Sequence, residues 1–137
     1  MAVPSARRAS AAAACAALLL AGCSGQRNTH EGRKIERVIE QFALAHDARA
    51  CDYLSAKALN AVYGGDTRAQ GRAACVKASK RFKGQRVVVT YVDITSKSGA
   101  HATARTEDGK RYYALTLIKY RNRRWLIAGI NPEAKPG

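Results

Sequence analysis

The sequence predicts an α+β domain in which three N-terminal helices pack on a curved, four-stranded antiparallel meander. Two observations predict this class. Apolar residues recur at the three- and four-residue spacing of an amphipathic helix between residues 31 and 82, and from residue 86 the period changes to two. Because helical and extended patterns are segregated along the chain, the helices are expected on one face of the sheet. The chain has 137 residues, enough for one such domain.

The first helix is predicted to begin at Glu31. Its apolar stripe consists of Ile35, Val38, Ile39, Phe42 and Ala45. Asp47 interrupts this spacing, and its carboxylate is suited to accept the free N–H groups at the start of a second helix. The first helix is therefore expected to end just before Asp47.

The second and third helices are separated by two glycines. The second is predicted to run through Cys51, Leu54 and Ala58 as one helix and to end at Gly64-Gly65. The third covers roughly residues 68–81, with Asp66 or Thr67 as its cap.

Four strands follow, predicted at residues 86–95, 100–107, 110–120 and 124–130. Strict alternation would give the first strand one face made of Val87, Val89 and Tyr91 and a second face made of Val88, Thr90, Val92 and Ile94. Residues 96–99 and 121–123 are predicted turns, and Asn131-Pro132 is expected to end the last strand.

The central hairpin can be predicted in register. If Asp108 and Gly109 form a two-residue turn, the residue numbers of each facing pair add up to 217. The pairs on one face are then Ala104 with Tyr113, Ala102 with Leu115, and Ala100 with Leu117. A face that opposes small and large residues suits a sheet crossed by a helix, or one that leaves a cavity open.

The N-terminus has the pattern of an export signal. Arg7 and Arg8 precede a ten-residue apolar run, residues 11–20, which is too short to span a bilayer. The following Leu20-Ala21-Gly22-Cys23 resembles the lipobox of small bacterial lipoproteins.

That resemblance implies cleavage after residue 22 and a diacylglyceryl anchor on Cys23. A secretory signal without lipidation is the alternative. The expected organisation is a signal peptide at 1–22, a lipidated tether at 23–30 that acts as a spacer, a domain at 31–132 and a tail at 133–137. The mature chain would be exported and held by lipid at the outer face of the cytoplasmic membrane, or at an outer membrane.

The charge of the chain favours anionic partners. The signal holds two of the 24 Lys and Arg and none of the ten Asp and Glu, so the remainder carries 22 cations against ten anions, a net charge of +12. In an exported protein this indicates anionic lipid or wall polymer rather than nucleic acid. Candidate anion-binding residues form two clusters, Lys80, Arg81 and Lys83, and Arg121, Arg123 and Arg124. The alternative is that these cations only keep the surface solvated.

Two cysteines remain once Cys15 leaves with the signal and Cys23 is assigned to lipid. Cys51 and Cys75 are predicted to form a disulfide, since export places them in an oxidising compartment. Two buried thiols, or a redox or metal site, are the alternatives. No Cys-x-x-Cys or histidine cluster is present, so neither a metal nor a cofactor is expected.

From about Glu31 to Ile130 the chain resembles the nuclear transport factor 2-like superfamily, and in particular its exported lipoprotein members. The resemblance rests on a first helix ending near His46-Asp47, an Ala50-Cys51 start to the second helix, a further cysteine in the third, and a closing Y-R-N-R-R-W-L-I hairpin. It implies a cone whose curved sheet wraps the long helix around an apolar pocket. A cystatin-like or other helix-on-sheet domain is the alternative fold.

Family members include ketosteroid isomerases and also lipoproteins without known chemistry, so fold alone does not give the activity. The expected pocket lining is Phe42, Tyr91, Tyr113 and Trp125. An isomerase or dehydratase would need a carboxylate base in that pocket, for which Asp93 is the candidate.

Asp47 and Asp52 are better explained as helix-start residues, so no catalytic set is assigned. The leading hypothesis is a non-catalytic, membrane-anchored domain that binds a small ligand or a partner protein. The alternatives are a pocket-carboxylate enzyme and an electrostatic docking module for envelope polyanions. Whether two sheets pack into a homodimer is left open.

Overall fold

A computed structural model describes residues 24–121 and 123–135 of the chain. The predicted signal peptide, Cys23, Asn122 and the last two residues lie outside this range. Helices come first and a four-stranded antiparallel sheet follows, as predicted for an α+β domain. The helical segments are α1 (His30–Leu44), a 3₁₀ turn (Ala48–Tyr53), α2 (Ala56–Tyr63), α3 (Arg68–Ala78) and a second 3₁₀ turn (Ser79–Arg81). The strands are β1 (Val87–Ile94), β2 (Gly99–Thr106), β3 (Tyr112–Tyr120) and β4 (Arg124–Glu133).

Side-chain caps set the helix starts. Thr29, Ser55 and Thr67 each accept a hydrogen bond from the backbone N–H three residues on, which satisfies a donor that the helix itself leaves free. Asp47 caps the 3₁₀ turn in the same way, through the N–H of Arg49. The predicted roles of Thr67 and Asp47 are confirmed.

The prediction of one continuous second helix is wrong, because the chain breaks at Leu54 and Ser55. Leu54 is extended and bridges Ile127 of β4, and the Ser55 N–H donates to the Ile127 carbonyl at 2.8 Å. These contacts cover part of the outer edge of β4 that an antiparallel sheet otherwise leaves unpaired. Tertiary pairing therefore replaces one turn of helix.

The sheet is a meander of order β1-β2-β3-β4. The central hairpin has the predicted register, with Ala104 opposite Tyr113 and Ala102 opposite Leu115. Gly109 has a φ of +71°, which explains why the turn needs glycine. β4 continues to Glu133, so the predicted end at Asn131-Pro132 is wrong. An edge strand tolerates proline, since its outward N–H has no ladder partner to lose.

A β-bulge in β1 reverses the faces predicted for the residues that follow it in that strand. Val89 pairs with Ala104 and Tyr91 with Thr103, so Thr90 is an extra residue. After the bulge, Val92 turns into the core with no exposed surface, and Tyr91 moves to the face away from the helices. Strict alternation could not anticipate this change.

The core lies between the helices and one face of the sheet. Its largest fully buried side chains on the helical side are Ile35, Ile39 and Leu59. Across from them, the sheet supplies Val89, Val92, Leu117, Ile127 and three buried alanines of β2. Helix α1 packs on this face against the edge strands β1 and β4.

The predicted disulfide is present. Cys51 of the first 3₁₀ turn is bonded to Cys75 of α3, with a Cα–Cα distance of 6.0 Å, and neither residue has exposed surface. The bond links two segments 24 residues apart in sequence. It joins α3 to the short 3₁₀ turn rather than to a full second helix.

Residues 24–29, predicted to be a spacer, are docked on the sheet. The Val92 N–H donates to the Ser24 carbonyl at 3.2 Å, and the Gln26 N–H donates to the Val92 carbonyl at 2.6 Å. This short parallel pairing continues in Arg27, whose guanidinium donates to the Val89 carbonyl at 2.9 Å. The prediction of a simple spacer is therefore corrected.

The two ends of the sheet differ. We call the end that carries residues 95–98 and 121–123 the two-turn end, and the end that carries residues 107–111 the one-turn end. Helix α1 crosses between them, because Glu31 bonds side chains at the two-turn end and Ala43 lies beside residues at the one-turn end. No helix among the described residues is long and apolar enough to cross a membrane.

Candidate functional site

A cavity of about 430 Å³ opens at the one-turn end, between the end of α1, the chain around residue 82 and the sheet. Its volume lies within the range of small-molecule sites. Its lining consists of Ile39, Phe42, Ala43, Ala45, Ala50, Tyr63, Arg81, Phe82, Lys83, Gln85, Val87, Ala104, Tyr113, Leu115 and Ile130.

The apolar character of the cavity comes from both layers. Phe42 of α1 faces Leu115 of the sheet, and Phe82 closes one side, with its ring centroid 6.3 Å from that of Tyr63. Ala104 stands opposite Tyr113 in the register, so the sheet offers a methyl group where a larger side chain would fill the space. The small-against-large pairing thus leaves the cavity open here.

Arg81 and Lys83 are the charged residues of the described lining. Both are exposed, as expected for a rim, and neither forms an ion pair within the described part of the chain. A site with an apolar interior and a cationic rim suits a ligand with an apolar body and an anionic group.

Two tyrosines add polar groups to this lining. Burial raises the pKa of the Tyr63 hydroxyl, so the phenol stays protonated and can donate a hydrogen bond at neutral pH. Tyr113 is half-buried against the core. Hydroxyls at the edge of an apolar cavity can fix the orientation of a ligand.

Of the four residues predicted to line the pocket, Phe42 and Tyr113 do so, whereas Tyr91 and Trp125 do not. Tyr91 is turned to the outer face by the bulge, where its ring lies against Gly25. Trp125 is buried below α1 at the two-turn end, beside Lys119 and Glu31. Those two assignments are corrected.

Asp93 is not placed to act as a pocket base. It pairs with His101 after the bulge and alternates with Val92 and Ile94, which face the core. Asp93 therefore lies on the opposite face of the sheet from the cavity. No Asp or Glu belongs to the lining in the described part of the chain, so those residues supply no carboxylate for proton abstraction there.

The two predicted cation clusters lie at opposite ends of the sheet. Arg81 and Lys83 flank the cavity at the one-turn end, while Lys80 is exposed beside them without lining it. Arg121 and Arg123 are exposed at the two-turn end. Arg124 follows them, and its guanidinium donates to the Asp52 carbonyl at 3.1 Å. The clusters cannot form one continuous anion site.

A second groove of about 450 Å³ lies along the edge of β1 and is lined by Glu40, Leu44, Arg86, Val87, Val88 and Glu107. Burial, with a further contribution from Glu36, raises the pKa of the Glu40 carboxyl. The groove combines two carboxylates with one guanidinium, so its charge selects no obvious class of ligand.

Sequence reasoning missed Tyr63 and Phe82 as pocket residues. Phe82 is a large apolar residue directly after the predicted third helix, which was a usable signal, but nothing in the sequence indicated that α2 ends beside it. No group of three or more potential metal ligands occurs among the residues that the structure describes.

Comparison of the chain with known proteins gives no match to a family model, a curated protein or a solved structure.

Proposed function

We propose that this chain is an exported, lipid-anchored protein whose domain binds a small amphipathic anion in the cavity at the one-turn end. The observation that carries the proposal is the composition of that cavity. Aromatic and aliphatic side chains line about 430 Å³, and the charged residues among them are Arg81 and Lys83. A long-chain carboxylate or a lipid-like phosphate has the matching chemistry.

The energetics favour such a ligand. Burying apolar ligand surface contributes about 25 cal/mol per Å², and the aromatic rings of Phe42 and Phe82 supply a large contact area. The guanidinium of Arg81 can bind two oxygens of one carboxylate or phosphate at once, which makes it more selective than an ammonium. Binding without bond breaking is the simplest function for a lining that lacks a base.

The anchoring part of the proposal depends on the sequence. Leu20-Ala21-Gly22-Cys23 resembles a lipobox and follows an apolar run of export-signal length. The buried Cys51–Cys75 disulfide supports it, since such bonds persist in oxidising compartments outside the cytoplasm. The order of three helices and a meander also supports our assignment to the nuclear transport factor 2-like superfamily.

Ligand binding can be tested with a fluorescent long-chain carboxylate as the probe. We expect saturable binding, strongly weakened by the double substitution Arg81→Gln and Lys83→Gln. Ala104→Leu should also weaken binding, because its larger side chain projects into the cavity. The matched control is Lys77→Gln with Lys80→Gln, which removes the same charge from exposed residues outside the lining. Equal loss in both double variants, or no saturable binding, would refute the site.

Anchoring can be tested separately in cells. Cys23→Ser should move the protein from the membrane fraction to the soluble exported fraction without unfolding the domain, because Cys23 precedes every described element. A variant that remains in the membrane fraction after a high-salt wash would contradict lipidation at this residue.

A further inference from the structure

The two-turn end carries a dense group of exposed cations. Lys97 lies in the first turn, Arg121 and Arg123 flank the second, and Arg124 begins β4; all four side chains are exposed. None of them belongs to the four ion pairs formed within residues 24–121 and 123–135. The nearby carboxylate of Glu31 is already neutralised by Lys34 and Lys119. This end of the molecule therefore attracts anions.

Exposed apolar side chains accompany these cations. Tyr120 is 44% exposed and Ile118 is 37% exposed, and both lie on the last residues of β3 at the two-turn end. The guanidinium carbon of Arg121 lies 5.2 Å from the centre of the Tyr120 ring. Cations beside a tyrosine and an aliphatic residue are typical of surfaces that rest at a membrane interface. A soluble polyanion would pair with the cations, but it would not bury the apolar side chains of Tyr120 and Ile118.

The N-terminal segment joins the sheet near the same end. The Val92 N–H, two residues before β1 ends, donates to the Ser24 carbonyl, and the Ile94 N–H donates to the side-chain oxygen of Gln26. Because this pairing is parallel to β1, the segment runs toward the two-turn end from Ser24 to Gln26, and its residues lie beside the last residues of β1.

We infer that the two-turn end is a membrane-docking surface that lies on an anionic lipid bilayer. Lys97, Arg121 and Arg123 contact lipid phosphates there, and Tyr120 and Ile118 enter the interfacial layer. This inference goes beyond ligand binding and does not require the cavity to be occupied. It also gives the domain an orientation, because the cavity at the one-turn end then opens away from the bilayer.

The test uses a chain that begins at residue 23 with Cys23→Ser, so that no lipid anchor contributes. The helices, strands, core contacts and disulfide described above lie within residues 24–135 and are retained. Binding is measured with vesicles of phosphatidylglycerol and phosphatidylcholine, and with phosphatidylcholine alone. We expect binding to the anionic vesicles only, with affinity that falls steeply as salt is raised.

Two double variants with equal net charge separate a specific surface from general attraction. Arg121→Gln with Arg123→Gln should weaken binding about 25-fold, since each cation near an anionic surface contributes about fivefold. Lys77→Gln with Lys80→Gln should leave binding nearly unchanged. Equal losses in the two variants, or binding that is insensitive to salt, would overturn the inference.

A labelling experiment tests the orientation independently of affinity. A fluorophore attached through Tyr120→Cys should be quenched by lipid-borne quenchers, whereas one attached through Lys110→Cys, in the turn at the one-turn end, should not. Circular dichroism and thermal unfolding of both labelled chains establish that they are folded. Equal quenching at both sites would overturn the proposed orientation.

Discussion

The indole N–H of Trp125 donates to the carboxylate of Glu31 at 2.9 Å and so joins two residues 94 positions apart. The ammonium of Lys119 donates to the same oxygen at 3.0 Å and lies 5.6 Å from the centre of the indole ring. Lys34 binds the second oxygen at 2.9 Å. Because Glu31 is in the first turn of α1, this cluster attaches the start of the helix to β3 and β4. It also satisfies the indole donor of a tryptophan that is 3% exposed.

The Glu31 cluster predicts a loss of stability in acid. Hydrogen bonds from Lys34, Trp125 and Lys119 lower the pKa of Glu31 from 4.5 to about 2. A carboxyl whose pKa is lower in the folded state contributes stability above its unfolded pKa and loses it as pH falls through the folded pKa. The free energy of unfolding should therefore decrease by about 1–2 kcal/mol from this group between pH 4.5 and 2, after allowance for solvent screening.

Glu31→Gln isolates this contribution, because the amide keeps an acceptor for the indole and loses only the charge. Denaturant unfolding as a function of pH should show a smaller acid slope for this variant than for the parent. Asp108 contributes in the same direction, since hydrogen bonds from Thr106 and the Lys110 N–H lower its pKa, and half-buried Glu40, whose pKa is raised, contributes in the opposite direction. Both persist in the variant and cancel in the comparison. Parallel curves for the two proteins would contradict the role of Glu31.

The bond between Trp125 and Glu31 should appear as a coupling energy. In a double-mutant cycle of Trp125→Phe and Glu31→Ala, we expect about 1.5–3 kcal/mol of non-additivity, the value of a hydrogen bond to a charged group. The control is a second cycle that combines Lys34→Ala with Glu31→Ala. Its coupling energy should be only about 0.3 kcal/mol, because this ion pair within α1 is exposed. The measurement is the free energy of unfolding of each variant, and additive effects would exclude a significant bond.

The disulfide should contribute about 3–4 kcal/mol to stability. Cys51 and Cys75 close a loop with a separation of 24 residues, and cross-linking a loop of this size removes that much chain entropy from the unfolded state. Cys51→Ala with Cys75→Ala should lower the midpoint of urea unfolding accordingly. Since both cysteines are fully buried, the native bond should also react slowly with external thiols until the protein unfolds. Rapid reduction of the folded protein would contradict that burial.

Sequence patterns within a few residues predicted the hairpin register and the helix caps, because interactions between near neighbours in the chain determine both. The register of the central hairpin follows from the Asp108-Gly109 turn, and the caps at Asp47 and Thr67 follow from side chains that reach the next few N–H groups. Features that depend on distant partners were not predictable in this way. The helix break at Leu54 exists because β4 has an edge to cover, and β4 is 70 residues further along the chain.

The same distinction applies to the candidate site. Tyr113 and Phe42 line the cavity because hairpin register and helical periodicity fix their faces. Tyr91 was assigned to the wrong face because one extra residue, Thr90, shifts every later side chain of β1. Trp125 is the second residue of β4 and therefore lies at the two-turn end, away from the cavity. Its indole N–H bonds Glu31 there, and no pattern within the sequence links these two residues.

Gly25 should be essential for docking of the N-terminal segment. Its φ is +60°, and a Cβ at this position would collide with the Val92 carbonyl oxygen and crowd the Tyr91 ring. Gly25→Ala should therefore release residues 24–27 from β1, which exposes the Val92 and Ile94 N–H groups that the segment now binds. Hydrogen exchange at these two amides measures the release directly, and we expect both to exchange much faster in the variant.

Gly64→Ala separates the steric effect from the backbone preference. Gly64 has a similar positive φ of +84°, but a Cβ there would meet no atom within 4 Å. This variant should lose about 1–3 kcal/mol of global stability, the cost of placing a side chain at a φ of 84° and a ψ of 157°. The Val92 amide should then exchange no faster than this lower global stability requires. Gly25→Ala should instead lose protection locally at β1. If both variants changed exchange at Val92 equally, the collision with the Val92 carbonyl would not be what makes glycine necessary at residue 25.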